Sequence, residues 1–254
     1  MENKEITMDD ILIETHIGLE RQGFGSPEMT VKALSFIDNI VEVSRVADFA
    51  CGTGGQTMVL AENINGTIVG MDLCPDFISV LNDNARKRGF GERVTGVVGS
   101  MENLTFSKEE FDLIWCEGAI DAIGFETGLT HWNTFLKKNG HIAVTCPSWI
   151  ADEHPAEIQK FWADAGSGLH TVAHNITILQ KCGYSFVAAF ILPEECWTDN
   201  YFIPREAAGK ALLKRYPGNK TVADYIEGDK YEAELYSRYK QYYGYVFYIG
   251  KKII

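Results

Sequence analysis

The chain has 254 residues, of which 46% are hydrophobic and 23% are charged, an ordinary composition for a globular protein. This length predicts one elaborated domain rather than two large ones. The formal net charge of −12 argues against a nucleic-acid partner, because a polyanion needs a basic face to displace its counterions.

The six cysteines form no CxxC pair, and the histidines show no zinc-binding spacing. We therefore expect reduced thiols, no metal site and a cytoplasmic location. The N-terminal sequence MENKEITMDD is charged and lacks the apolar segment of a secretion signal. No apolar run is long enough to span a bilayer, so the sequence predicts no membrane partner.

The first predicted elements are a helix, a strand and a second helix. The stretch SPEMTVKALSFIDNI, at 26–40, begins with Ser26 as a good N-cap, and its apolar residues recur at helical spacing as far as Val41. The apolar run RVADFA, at 45–50, predicts a buried strand. A turn with three glycines follows, and QTMVLAENI, at 56–64, predicts the next helix.

Strands and helices continue to alternate to about residue 150, which predicts a doubly wound, mostly parallel α/β sheet. Ligands of such sheets bind at the carboxyl ends of the strands. The further predicted strands are TIVGMDL (67–73), RVTGVVG (93–99), FDLIWCEG (111–118) and GHIAVTCP (140–147), with helices at 75–89 and 128–138.

The pattern changes after residue 147. Two helices, at 155–165 and 171–183, precede two late strands at 185–192 and 245–252. The aromatic-rich segment between the late strands has too few regularly spaced apolar residues for a separate core, so it predicts a mostly helical insertion. We predict one domain over 1–254, divided into a helical lead-in (1–43), a cofactor-binding core (44–150) and a helical cap over the substrate site (193–244). We expect three aromatic residues of the cap to line the substrate site: Trp197, Tyr201 and Tyr242.

The glycine turn in VADFACGTGG, at 46–55, can receive either a dinucleotide or S-adenosylmethionine. A dinucleotide fingerprint needs G-x-G-x-x-G, and counting from Gly52 places Thr57 at the third glycine. Asp48 precedes the turn, and two like charges at close range repel by about 4 kcal/mol at an effective dielectric near 20. A carboxylate there disfavours a pyrophosphate but can help to hold an ammonium. The turn therefore favours S-adenosylmethionine.

A second acid, Asp72, ends the next predicted strand. A carboxylate at that place can accept both hydroxyls of a ribose, and each charge-assisted bond contributes roughly 1.5–3 kcal/mol. Both NAD and S-adenosylmethionine carry that ribose, so Asp72 does not discriminate between them.

Five stretches, from about residue 20 to residue 150, resemble in order the successive motifs of class I S-adenosylmethionine-dependent methyltransferases: VADFACGTGG, GMDL, GSMENLTF, FDLIWCEGAI and LKKNGHIAV. The resemblance is nearest to the small-molecule branch, which includes quinone-biosynthesis C-methyltransferases. RQGFGSPE and EGAIDAIGFE are similar to a bacterial subgroup of that branch. The resemblance implies a Rossmann-like fold with a seven-stranded sheet whose last strand is antiparallel.

The resemblance also implies roles for individual residues. Asp48, Gly52 and Gly54 would line the methionine end of the cofactor, and Asp72 would hold the ribose. Leu73 would lie against the adenine, with Ser100 and Met101 at its edge. Glu117 would lie near the transferred methyl group. The other predicted cofactor-binding residues are Arg21, Gln22, Ser26, Ala50, Gln56, Thr57 and Glu102.

Two positions depart from the family pattern. The family more often has glycine at the position of Ala50, so the turn of this chain should approach the cofactor less closely. The family often has aspartate at the position of Ser100, and serine there weakens the expected bond to the adenine amino group. Arg21, Gln22 and Ser26 could either fold over the cofactor or form a surface loop. We expect His16 in solvent rather than in the site.

The resulting hypothesis is in-line methyl transfer from S-adenosylmethionine to a small-molecule acceptor, with S-adenosylhomocysteine as the product and a homodimer as a possible assembly. Alignment of the two partners can supply roughly 7–11 kcal/mol of the barrier. A general base is needed only if the acceptor loses a proton, and Glu117 and Asp121 are the candidates. A nicotinamide-dependent oxidoreductase and a cofactor-binding protein without turnover remain as alternatives.

Overall fold

The computed structural model describes residues 6–38, 40 and 44–253. The helices of these residues are α1 (Met8–His16), α2 (Pro27–Leu34), α3 (Gly55–Asn63), α4 (Pro75–Lys87), α5 (Phe125–Asn133), α6 (Ala156–Asp164), α7 (Val172–Lys181), α8 (Ile203–Arg215) and α9 (Lys220–Tyr239). The strands are β1 (Arg45–Phe49), β2 (Thr67–Asp72), β3 (Val94–Val98), β4 (Phe111–Cys116), β5 (Leu136–Trp149), β6 (His170–Thr171), β7 (Tyr184–Ile191) and β8 (Tyr243–Lys252).

Seven of these strands form one sheet in the order β3-β2-β1-β4-β5-β8-β7, and the two-residue strand β6 pairs with β5 at its side. Pairing is parallel from β3 to β5, whereas β8 runs antiparallel to both β5 and β7. This confirms the predicted doubly wound sheet with an antiparallel last strand. The strand order reverses between β1 and β4, so a crevice opens there at the carboxyl edge of the sheet.

Two predicted helices are wrong at their C-terminal ends. Helix α2 ends at Leu34, because Ser35 turns the chain and its hydroxyl donates to the Lys32 carbonyl oxygen at 2.7 Å. Residues 35–38 and 40 are not helical, and Asn39 and Val41 lie outside the described residues. Helix α5 ends at Asn133, and β5 already begins at Leu136, which pairs with Phe111 of β4.

The lead-in and the insertion pack together into one helical layer. Ile11 of α1 is buried against Leu212 of α8 and against Val222 and Ile226 of α9. Residues 1–5, 39 and 41–43 of the predicted lead-in lie outside the described residues. The insertion is helical between β7 and β8, although β8 begins at Tyr243, so the last two residues of the predicted cap belong to the strand.

Helix α9, with 20 residues, is the longest described helix, but its sequence KTVADYIEGDKYEAELYSRY is rich in charge. Across residues 6–38, 40 and 44–253, no helix combines the length and the apolar character that crossing a membrane requires.

Candidate active site

The turn between β1 and α3 is built from residues with left-handed backbone conformations. The φ angles are +53° at Ala50, +56° at Gly52 and +89° at Gly54, which caps α3. A Cβ on Gly52 would lie 2.2 Å from Oε1 of Gln22, and one on Gly54 would lie 2.9 Å from the Leu81 side chain. A side chain at either place would therefore have to displace its neighbour and hold a strained backbone, whereas Ala50 already adopts a conformation that alanine rarely takes.

Two side chains from distant parts of the chain hold this turn. The amide of Gly52 donates to Asp72 Oδ2 at 2.9 Å, and Asp72 Oδ1 accepts from the Cys74 amide at 2.9 Å. The amide of Thr53 donates to Gln22 Oε1 at 2.7 Å. The acid at the end of β2 therefore fixes the glycine turn.

Asp48 lies beneath the turn and is fully buried. It accepts hydrogen bonds from Thr57 Oγ1 at 2.5 Å and from Gln56 Nε2 at 3.3 Å. Burial raises the pKa of Asp48 to about 7 in spite of these two bonds. Gln56 lines the cavity above the turn. The hydrogen bond from its side-chain amide to Asp48 therefore orients part of the cavity surface.

Glu117, just after β4, is held by three donors. Its carboxylate accepts from Arg21 Nη1 at 2.8 Å, from Thr30 Oγ1 at 2.7 Å and from Trp115 Nε1 at 2.8 Å. Ser26 lies in the same lead-in segment and caps α2 by accepting from the Met29 amide at 3.2 Å. These contacts fasten the lead-in over the carboxyl end of β4.

A cavity of about 360 Å³ lies at this carboxyl edge, and we call it the edge cavity. Its volume is within the usual range for small-molecule sites. Part of its lining is the glycine turn with Asp72 and Glu117, and the rest includes residues of α1 and of the insertion with α9. The lining residues are Leu12, His16, Gln22, Gly23, Ala50, Cys51, Gly52, Gln56, Asp72, Phe77, Glu117, Gly118, Ala119, Tyr201, Arg205 and Tyr225.

The predicted adenine-edge residues lie at the ends of β2 and β3, beside the edge cavity rather than in its lining. Leu73 is 71% exposed. The Ser100 hydroxyl oxygen accepts from the Glu102 amide at 3.2 Å, and the Met101 carbonyl oxygen accepts from Trp132 Nε1 at 3.0 Å. Their contact with an adenine stays a prediction.

The remaining predicted residues are spread over several places. Asp121 lines a neighbouring cavity of about 240 Å³ and accepts from Ser167 Oγ at 3.3 Å. Trp197 is fully buried and packs on the rings of Phe24 and Tyr236, with centroids 3.9 and 4.2 Å away.

Among the three predicted wall residues, Tyr201 lines the edge cavity. The Tyr242 carbonyl oxygen accepts from the Ile150 amide at 2.9 Å, in the loop before β8.

His16 was expected in solvent, and the structure corrects this. It is 5% exposed and lines the edge cavity, as do Arg205 and Tyr225, which the sequence did not single out. The helical spacing of α1 gave one signal: His16 follows one turn after Leu12, and both line the cavity.

In the described residues, no three His, Cys, Asp or Glu side chains come together to hold a metal ion. All six cysteines are free.

Comparison with known proteins identifies a domain within this chain. Residues 46–140 match the family model of a methyltransferase domain. The fold is also that of an S-adenosylmethionine-dependent methyltransferase from Geobacter sulfurreducens, solved with S-adenosylhomocysteine, at a TM-score of 0.83, 18% identity and coverage of 95% of this chain and 97% of that chain. Residues 46–140 therefore form a methyltransferase domain.

Two curated relatives of this methyltransferase domain share part of its sequence. Phosphoethanolamine N-methyltransferase of Triticum aestivum is 26% identical over 66% of this chain and 34% of the relative. Demethylmenaquinone methyltransferase of Anoxybacillus flavithermus is 31% identical over 30% of this chain and 32% of the relative. The chain thus matches about a third of the length of each.

Proposed function

We propose that this protein transfers the methyl group of S-adenosylmethionine to a small-molecule acceptor and releases S-adenosylhomocysteine. One observation carries the proposal: the edge cavity brings the glycine turn, Asp72 and Glu117 together at the carboxyl edge of a methyltransferase-domain sheet. The transfer is an in-line displacement at the methyl carbon. The sulfonium is already an activated leaving group, so alignment is the main task of the protein.

The residues present suit this cofactor. Asp72 already accepts two amide hydrogens, and its carboxylate oxygens keep further lone pairs for the ribose hydroxyls. Gly52, Gly54 and Gln56 would meet the methionine end, with Asp48 acting through Gln56 and Thr57. Arg21 would act by holding Glu117, and Gln22 by holding the turn. Leu73, Ser100, Met101 and Glu102 would border the adenine.

The acceptor would lie beside the cavity-lining residues of α1 and the insertion. Tyr201 and Arg205 belong to the insertion, which would close over the cavity and exclude water from the reacting atoms. A small acceptor agrees with a cavity of about 360 Å³ and with the small-molecule names of the two curated relatives. The net charge of −12 disfavours nucleic acid.

A cytoplasmic location and a homodimer complete the proposal. Six free cysteines agree with a reducing compartment. The edge strand β7 exposes Phe186 and Ile191, at 41% and 49%, which a second copy would cover. Light scattering coupled to size exclusion gives the mass: twice 28.4 kDa supports the dimer, and a single 28.4 kDa species refutes it.

Titration calorimetry tests the cofactor half of the proposal. We expect one saturable site for S-adenosylmethionine and for S-adenosylhomocysteine, and none for NADH. Asp72→Ala should weaken cofactor affinity about 10- to 100-fold, because a charge-assisted bond contributes roughly 1.5–3 kcal/mol. Asp76→Ala, at an exposed acid in the first turn of α4, is the matched control and should leave the affinity unchanged. Binding of NADH alone would instead support the oxidoreductase alternative.

A further inference from the structure

Neither acid that the sequence suggested as a general base is placed to take a proton from an acceptor. Glu117 faces three donors, one of them the guanidinium of Arg21. Asp121 lines the neighbouring cavity instead. The edge cavity has another candidate, His16, which is buried and lines the cavity.

The hydrogen bonds of His16 fix its tautomer. Its Nδ1 lies 2.8 Å from the carbonyl oxygen of Leu12, which can only accept. It also lies 3.1 Å from Thr15 Oγ1, whose hydroxyl donates to the Ile11 carbonyl oxygen at 2.8 Å, so Nδ1 carries the hydrogen. In the neutral ring Nε2 then has the free lone pair. The contact of Nε2 is the hydroxyl of Tyr201 at 3.3 Å, which is long for a hydrogen bond. A hydroxyl donor inside the cavity would displace this long contact to reach the lone pair.

The surroundings keep His16 neutral. Arg205 of α8 donates to the hydroxyl of Tyr201 and to that of Tyr225, the latter at 3.0 Å. Burial lowers the pKa of His16 to about 4, and the charge of Arg205 adds to the effect. Asp229 pairs with Arg205 at 2.5 Å, and Glu232 of the same helix is a further buried acid near that guanidinium.

We propose that His16 is the general base of the methyl transfer and that the acceptor atom is the oxygen of a hydroxyl group. This inference rests on the proposed function. A lone pair of the hydroxyl oxygen forms the bond to the methyl carbon, and the carbon–sulfur bond breaks with its electron pair going to sulfur. The hydroxyl proton moves to His16 Nε2 and then to solvent. The products are a methyl ether, neutral S-adenosylhomocysteine and one proton, which balances the sulfonium charge.

Two features favour an oxygen acceptor: the lone pair of Nε2 already faces a hydroxyl, that of Tyr201, and His16 is a weak base. A protonated ether is a very strong acid, so even a weak base accepts its proton as the bond to carbon forms. An alkylammonium has a pKa of about 10, as in lysine, and would not give its proton to a base whose conjugate acid has a pKa of about 4. An amine acceptor would thus gain nothing from His16, whereas a hydroxyl acceptor would.

Nitrogen NMR of protein labelled in its histidine rings tests the base without any acceptor. The signal of His16 is the one absent from the spectrum of His16→Asn. We expect a neutral ring with the hydrogen on Nδ1 from pH 8 down to pH 5. A ring that is protonated at pH 6, or that carries its hydrogen on Nε2, overturns the proposal.

A panel of small alcohols and phenols, each paired with its amine isostere, tests the acceptor with S-adenosylmethionine labelled in the methyl group. We expect labelled methyl ethers, and a kcat at least 100-fold lower in His16→Asn at unchanged cofactor affinity. The exposed His174 gives the matched control His174→Asn, which should keep full activity.

The outcomes of the panel separate this inference from the proposed function. Labelled amines alone, no labelled ether from the panel, or an unaffected His16→Asn overturns the role of His16. Failure of the wild-type protein to bind S-adenosylmethionine in calorimetry overturns the proposed function itself.

Discussion

Arg21 and Glu117 form a buried ion pair that joins the lead-in to the carboxyl end of β4. Their atoms are 2.8 Å apart, and the side chains are 6% and 3% exposed. Thr30 links both partners, since its hydroxyl donates to Glu117 and accepts from Arg21 Nη2 at 2.8 Å. Two residues 96 positions apart in the chain thus fix one wall of the edge cavity.

Removing one partner of this pair should be costly. Arg21→Met leaves an uncompensated buried carboxylate, and we expect it to lower the free energy of unfolding by about 3–5 kcal/mol. The matched control is Arg45→Met, which breaks an ion pair with Glu110 in which the arginine is 45% exposed and which should cost below about 1 kcal/mol. Urea unfolding of both variants measures the difference. Equal losses of unfolding free energy in the two variants would show that the buried ion pair stabilises the protein no more than the surface pair does.

The contact between Gln22 and Gly52 predicts a specific loss of cofactor affinity. In Gly52→Ala the new Cβ would meet Gln22 Oε1, so Gln22 must leave the Thr53 amide and the turn loosens. We expect cofactor affinity to fall at least tenfold in calorimetry. Gly89→Ala is the control, because φ at Gly89 is +80° and a Cβ there has open space. A comparable loss of affinity in Gly89→Ala would point to general backbone strain instead.

The substitution Ala50→Gly should stabilise the protein. A left-handed conformation costs an L-residue roughly 1–2 kcal/mol, while the extra chain entropy of glycine costs roughly 0.5–1 kcal/mol. With φ at +53°, Ala50→Gly should therefore raise the free energy of unfolding by about 0.5–1 kcal/mol. Ala163→Gly, at an exposed position in α6, should lower it by about 1 kcal/mol. Chemical denaturation that finds both variants destabilised would contradict the strain at Ala50.

Asp48 should make the ligand-free protein less stable as pH rises from about 4 to 7. Its pKa is about 7 in the folded state and 3.8 as its ordinary value, so between these values the folded protein holds a proton that unfolding releases. The unfolded state then binds fewer protons, and stability falls by up to about 1.4 kcal/mol per pH unit from this group.

The variant Asp48→Asn removes only this titration, since other buried acids such as Glu232 remain in both proteins. Urea unfolding at pH 5 and pH 8 should show a smaller loss in Asp48→Asn than in the wild type. If the free energy of unfolding changes equally with pH in the variant and the wild type, Asp48 is ionised in the folded protein across this range.

The strands and the glycine turn could be predicted from the sequence because their signals are local. Apolar runs such as RVADFA, which is followed by the glycine turn, are each matched by a strand within a few residues. Helix ends were less predictable. Residues 136–138 have a helix-like sequence, but Leu136 pairs with Phe111 and Lys137 bridges to Asp112 at 2.8 Å, so sheet contacts override local propensity.

The part of the cavity lining that comes from α1 and the insertion was not predictable, because it is made by contacts across nearly the whole chain. His16 and Tyr201 are 185 residues apart, and nothing in the sequence of either segment places them together. Trp197 was expected to line the substrate site because it is aromatic. The ring instead packs between Phe24 and Tyr236, a pairing that depends on the docking of α9.

The central claim is methyl transfer, and mass spectrometry of small-metabolite pools incubated with the protein and labelled S-adenosylmethionine tests it most directly. We predict a small-molecule product that gains the labelled methyl group, formed in equal amount with S-adenosylhomocysteine. The product should fall sharply with Asp72→Ala at limiting cofactor and persist with Asp76→Ala. Bound cofactor with no labelled product from any pool would contradict the account and identify a cofactor-binding protein without turnover.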